Sequence, residues 1–125
     1  MWPSILAIFC GAGLGALLRA GFNFATVSIA STLPLGTFIS NMVGGYMVGI
    51  AVAFFASNPS LSPEWKLFVI TGFLGGLTTF SSFSVEVVGF MQRGEMTWAL
   101  GTALLHLVGS LALTFLGILT YQALK

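Results

Sequence analysis

Between Trp65 and Met91 the chain is apolar enough to cross a bilayer, yet its middle reads Gly72-Phe-Leu-Gly-Gly-Leu-Thr-Thr-Phe-Ser-Ser-Phe-Ser84. A glycine pair is followed there by five hydroxyl residues within seven positions, Thr78 to Ser84. In hydrocarbon every backbone N–H and C=O needs a partner inside the protein, so a spanning helix is rarely interrupted without a use for the interruption. Gly75 and Gly76 add backbone freedom. Thr78 and Thr79 supply hydroxyls that accept from the free N–H groups at the start of a new helix. The pattern predicts two half-helices joined by a short unwound link over Gly75–Thr78. Such a link bares carbonyls at one end and N–H groups at the other, suited to cations and anions respectively. Phe80 and Phe83, three apart, fall on neighbouring rows of one helix face. The expectation is an ion site at membrane depth. A packing motif of small residues is the alternative.

Composition decides the solvent in which this link sits. Only 6% of the 125 residues are charged and 57% are hydrophobic, whereas a soluble domain is about 25% charged. The chain is therefore read as an all-α integral membrane protein, one membrane domain over residues 1–125. Four Lys+Arg and a net charge of +1 leave no basic surface for nucleic acid. No basic residue precedes Arg19, so no signal peptide is expected. The single cysteine, Cys10, reads as a free buried thiol.

A helix needs about 20 apolar residues to cross the hydrocarbon core. The charged residues and loops then set four spans at about 4–22, 35–55, 65–91 and 97–123. The third begins after the break Asn58–Pro63, with Ser62 as its cap, Pro63 in its first turn and Glu64 at the positive end of its dipole. It ends at Arg93-Gly94, a basic last turn and a glycine stop. From Trp65 to Leu74 is about 15 Å of helix, half of a core about 30 Å thick. The break should thus lie near the midplane, where a polar site is costly and functional.

The other spans carry small faces and a few polar groups. Gly11 and Gly15, like Gly45 and Gly49, are four apart and fit close helix contact. Asn41 shares a face with Thr37, Gly44 and Gly45, and is either helix glue or part of the ion site. Thr102, His106, Ser110 and Thr114 recur every four residues on the last span, a polar stripe suited to a path or an interface. Each of its hydroxyls could instead bond back to its own helix. Glu86, the one acid deep in a span, falls about 10 Å beyond the break. It either faces a water-filled mouth or is protonated and bonded within the helices. Arg19 is either a snorkelling anchor or an attractor for anions. No acid on the last span orients His106, so no nucleophilic site is expected, and one His with one Cys builds no conventional metal site.

The motif Gly72 to Ser84 closely resembles the Fluc (CrcB) fluoride channels. The resemblance extends to Gly11-Ala-Gly-Leu-Gly-Ala-Leu-Leu-Arg19 and to Gly36-Thr-Phe-Ile-Ser-Asn-Met-Val-Gly44. Order, spacing and length agree over nearly the whole chain. The family implies passive fluoride export through an antiparallel homodimer in the bacterial inner membrane, with two pores and a central structural sodium ion. By the motif, Phe80 and Phe83 resemble the pore rings, with Asn41 the amide beside them. Ser81, Ser84, Ser110 and Thr114 resemble the hydroxyls of the path, and the backbone carbonyls of Gly75 and Thr78 resemble the sodium ligands. Glu86 and Arg19 are placed with the pore residues. His106 stands where other members often have tyrosine, and Ser82 where threonine is frequent. Asn41 NH₂ and the hydroxyls can replace the hydrogen bonds of hydrated fluoride, and phenyl rings offer their positive edges to an anion.

Two other readings fit parts of the pattern. A small dual-topology multidrug exporter would also have four short helices, but it wants an acid in its first span, and none is present. A non-transporting assembly subunit would bury the polar stripe against a partner. Charge bears on orientation as well. Lys66 and Lys125 fall on the side shared by the termini and Arg19 and Arg93 on the other, so positive charge favours neither orientation. Dual insertion as an antiparallel homodimer is the expectation.

Overall fold

The computed structural model describes residues 1–27 and 34–125. Its described residues are all helix and connecting turns: α1 (Trp2–Thr26), α2 (Leu35–Ser57), α3 (Pro63–Lys66), a π-helical stretch (Leu67–Leu74), α4 (Gly75–Leu77), α5 (Phe80–Gln92) and α6 (Met96–Leu124). Residues Pro63–Gln92 together form the third of four segments long and apolar enough to cross a membrane. α1 is longer than expected. It runs on past Arg19 to Thr26, because the residues beyond Arg19 carry no charge and the arginine side chain has turned inward.

Helices approach where side chains vanish. α1 runs parallel to the 63–77 half of the third span. A Cβ on Gly15 would collide with the backbone of Phe73 and lie 2.7 Å from Leu77 N, so only glycine permits this approach. Gly72 and Gly76 face α1 in the same way, against Ile8 and Ala12. α2 and α6 form a second parallel pair, closed by Gly49 against the backbone of Thr114 and by Gly117 against that of Tyr46. Tyr46 Oη donates to Thr120 Oγ1 across this pair at 2.8 Å. The expectation that the glycine pairs mark helix contacts holds. Leu74 and Leu77, 2% and 0% exposed, lie in the core with Ala51.

The third span breaks, beginning three residues later than expected and more briefly. Gly75 keeps helical dihedrals (φ −64°, ψ −36°), and the extended residues are Thr78 (φ −84°, ψ 155°) and Thr79 (φ −149°, ψ 116°). The glycine pair therefore does not form the link. Gly76 serves close packing on Ala12, while the β-branched threonines take the extended conformation they favour. Before the link the chain widens to π-helix over Leu67–Leu74, a distortion common at functional sites. At its start Ser62 holds the N-cap position, but its hydroxyl donates to Glu64 Oε1 (3.0 Å) instead of capping the backbone. The span ends as expected at Gly94, whose φ of +75° is the one positive value among the described residues.

Candidate functional site

The link is held by one side chain. Thr79 N donates to Asn41 Oδ1 at 2.8 Å, and Asn41 Nδ2 donates back to Thr79 O at 3.2 Å. A primary amide has the shape of a backbone peptide group, so it meets both polar groups of Thr79 at once. Asn41 Nδ2 also lies 3.2 Å from His106 Nδ1 on α6. Its two N–H groups are thereby committed to partners inside the protein. Asn41 thus serves as helix glue, and it also lines the groove beside the link.

Thr79 is also the N-cap of α5: its Oγ1 accepts from Ser82 N at 3.1 Å and lies 3.2 Å from Ser81 Oγ. The other side of the break is closed unevenly. Leu74 O accepts from both Thr78 N (3.0 Å) and Thr78 Oγ1 (2.9 Å). Gly76 O accepts from Arg19 Nε at 3.1 Å. Arg19 thus caps the negative end of a half-helix, a role that neither snorkelling nor anion attraction anticipated. Thr79 N and Ser82 N, the donors that would have continued the helix onto Gly75 O and Thr78 O, are bonded elsewhere. Those two carbonyls are left without a hydrogen-bond donor among the described residues.

A groove of about 280 Å³ opens beside the link, lined by Asn41, Thr79, Phe80, Phe83, His106 and Ser110. The Phe80 and Phe83 rings sit 5.7 Å apart at 57°, and Phe83 lies 4.7 Å from the His106 ring. Phe38 meets His106 edge-on at 5.3 Å. His106 is buried, whereas Phe80 is 80% exposed on the surface of the single chain. A second groove of similar size, which shares Asn41, Thr78 and Ser110 with the first, is lined also by Gly44 and Gly75. Toward the end of α1, a third groove of about 490 Å³ collects Asn23, Thr37, Ser81, Ser82 and Glu86. Glu86 Oε1 is buried without a partner among the described residues.

Of the expected path hydroxyls, Ser110 lies on two grooves and Ser81 on the third. Ser84 is half-buried on α5 and lines none of these grooves. Thr114 is drawn away: its Oγ1 donates to Gly45 O at 2.9 Å, tying α6 to α2. Thr79, expected with Thr78 to start a helix through its hydroxyl, does so as the cap of α5, but its backbone pairing with Asn41 was not anticipated. Sequence reasoning also missed Phe38 as a wall of the histidine pocket. Cys10, expected to be buried, is exposed on α1, because the glycine face of that helix makes the contacts.

Among the described residues no group of three or more His, Cys, Asp or Glu could hold a metal ion.

Comparison with known proteins follows the same lines. Residues 6–118 match the family model described as CrcB-like protein, Camphor Resistance (CrcB). The chain is 78% identical over 125 residues to a protein of Polynucleobacter asymbioticus named fluoride-specific ion channel FluC, covering 100% of both chains. Proteins of the same name from Pseudomonas syringae pv. maculicola and Burkholderia thailandensis are 55% and 56% identical, over 98% of this chain and 96% of theirs. With four segments fit to cross a bilayer and this match over nearly its full length, the chain is a multi-pass membrane protein belonging to the CrcB family.

Proposed function

We propose that the chain conducts fluoride passively and selectively across the bacterial inner membrane, as an antiparallel homodimer with two pores and a structural sodium ion at its centre. The observation that carries this reading is the broken third span, whose link opens beside a groove walled by Phe80, Phe83, His106 and Ser110. Fluoride gives up strongly bound water on entering such a groove. The Ser110 hydroxyl and the positive ring edges of Phe80 and Phe83 offset that loss in the groove, with Ser81 and Ser84 as further donors along the path. Arg19 and Glu86 shape the field on the approach. The relatives named above carry the name of a fluoride channel, which favours this reading over an exporter or an assembly subunit.

The second copy is supported by what one chain leaves open. Phe80 touches Phe83 but is otherwise exposed on the surface of the single chain. Gly75 is exposed, and a Cβ added to it would meet only Ile70 O, at 3.6 Å. Nothing within the chain requires glycine there, so close approach of another copy explains it. The donor set also fits sodium. Gly75 O and Thr78 O lack hydrogen-bond donors among the described residues, and unwound backbone carbonyls suit a hard monovalent cation. One chain supplies two such oxygens and a two-fold related copy would supply two more. The ion would neutralise the carbonyl ends that Arg19 leaves uncapped.

Liposomes holding only this protein test the reading. Loaded with fluoride, they should empty once a potassium ionophore clamps the voltage, and chloride should stay. Equal loss of both ions, or of neither, overturns it. Orientation is tested separately, with a single cysteine at the C-terminus in a Cys10→Ser background. Labelling from both faces of inner-membrane vesicles is expected, and labelling from one face alone rules out dual insertion.

A further inference from the structure

Asn41 and His106 form a relay whose direction is fixed by the backbone of the link. An amide can be turned over with little change in shape, but Thr79 does not permit it. Its N–H requires an oxygen at 2.8 Å and its C=O requires an N–H at 3.2 Å. Turning the amide over would set donor against donor at Thr79 N and acceptor against acceptor at Thr79 O. Nδ2 therefore faces His106 Nδ1 as a donor, across 3.2 Å. Neutral imidazole carries one donor and one acceptor, so an Nδ1 that accepts leaves the proton on Nε2. That nitrogen has no acceptor among the described residues, and its ring lines the groove with Phe80, Phe83 and Ser110.

We infer that Asn41 is a positioning residue: it holds His106 as the Nε2–H tautomer, so that His106 Nε2, and not the Asn41 amide, offers the nitrogen donor to an anion in the groove. This rests on the anion-conducting reading of the groove and refines it. The Asn41 amide has no free hydrogen to give. Phe38 edge-on and Phe83 at a tilt hold the ring in its plane, so the donor is fixed in direction as well as in tautomer. No ionisable group competes for Nδ1 among the described neighbours. Arg19 is turned to Gly76 O, Glu86 opens into the separate groove with Thr37, and Tyr46, the ionisable residue of α2, bonds Thr120.

The chain has one histidine, so ¹⁵N-histidine labelling reads this ring alone. In the wild-type protein in lipid at neutral pH, two-bond ¹⁵N–¹H correlations should show the Nε2–H tautomer only. A proton on Nδ1, or a mixture of tautomers, overturns the inference. Sodium fluoride, against sodium chloride as control, should shift the Nε2–H resonance and leave the Asn41 side-chain NH₂ in place. A shift of the Asn41 amide without the histidine also overturns it. Asn41→Asp replaces the donor with a carboxylate oxygen and should move the proton to Nδ1, an outcome that simple loss of packing would not produce. Should that variant not fold, the wild-type tautomer and the fluoride shift still decide. Fluoride efflux from vesicles of the same preparation separates the two claims. Efflux with an Nδ1–H histidine sinks the relay alone, and an Nε2–H histidine without efflux sinks the channel reading alone.

Discussion

The two halves of the third span are finished in opposite ways. Where α5 begins, side chains take two of the backbone donors: Thr79 Oγ1 takes Ser82 N, and Asn41 Oδ1 takes Thr79 N. Where the 63–77 half ends, Leu74 O and Gly76 O are bonded, but Gly75 O and Thr78 O are not. The halves are also packed differently. The first lies backbone to backbone on α1 through glycine, while α5 meets α6 through rings, Phe83 on His106 and Phe90 stacked on Trp98. The open oxygen side supports the structural sodium proposed above.

The sharpest contrast within the first half is between its adjacent glycines. Gly76→Leu would drive a side chain into the backbone of Ala12, which cannot yield as a flexible side chain does. The cost is about 3 kcal/mol or more, and no monodisperse protein should be recovered in detergent. Gly75→Ala meets nothing closer than Ile70 O at 3.6 Å. That chain should fold and insert, but lose any thermal stabilisation that sodium gives the wild type. If both variants behave alike in size-exclusion and melting experiments, the division between a packed and an open face of this half is wrong.

On the second half the rings carry the largest expected effect on flux. Phe80→Ile and Phe83→Ile keep apolar bulk and remove the positive ring edge. A ring-edge interaction is worth about 1 kcal/mol, so fluoride efflux should fall about fivefold to tenfold in either variant. Elution volume should not change. Full flux in both would leave the rings as packing residues only. The cap comes next. Thr79→Val loses the bond to Ser82 N and should cost about 1 kcal/mol in thermal unfolding, which Thr79→Ser restores.

How much of this could be read from the residues differs between the two halves as well. The spans, the loop at Asn58–Pro63 and the existence of a break follow from hydrophobic length and from a cluster of hydroxyls, both local properties. The break's position did not follow. Gly75-Gly76 marks conformational freedom, but tertiary contact with α1 uses Gly76 to bring backbones together, and the extension passes to Thr78–Thr79. Arg19 was legible as a charge at a span's edge. Its bond to Gly76 O spans 57 positions in sequence and depends on how α1 rotates against the third span. Asn41 and His106 were each visible as polar residues in apolar surroundings. That they meet, and that Thr79 fixes which way the amide turns, depends on three helices converging and could not be read from any one of them.

The smallest effect tests the stripe on α6, which the structure divides. His106 and Ser110 face the groove beside the link, whereas Thr114, one turn beyond Ser110, donates its hydroxyl hydrogen to Gly45 O at 2.9 Å. An anion needs donors, and a hydroxyl whose hydrogen is committed offers only lone pairs. Thr114 should therefore act as glue between α2 and α6, at the point where Gly45 and Gly49 bring the two backbones together. Interhelical hydrogen bonds in membranes are worth about 0.6 kcal/mol, so Thr114→Val, which keeps the shape and removes the hydroxyl, should lower the melting temperature slightly. Fluoride efflux should stay within about twofold of wild type, a change of less than about 0.5 kcal/mol in barrier. Ser110→Ala should do the reverse, slowing efflux while leaving the melt unchanged. Equal loss of flux in the two variants would show that the whole stripe serves the path, and that the Thr114 hydroxyl leaves Gly45 when an ion passes.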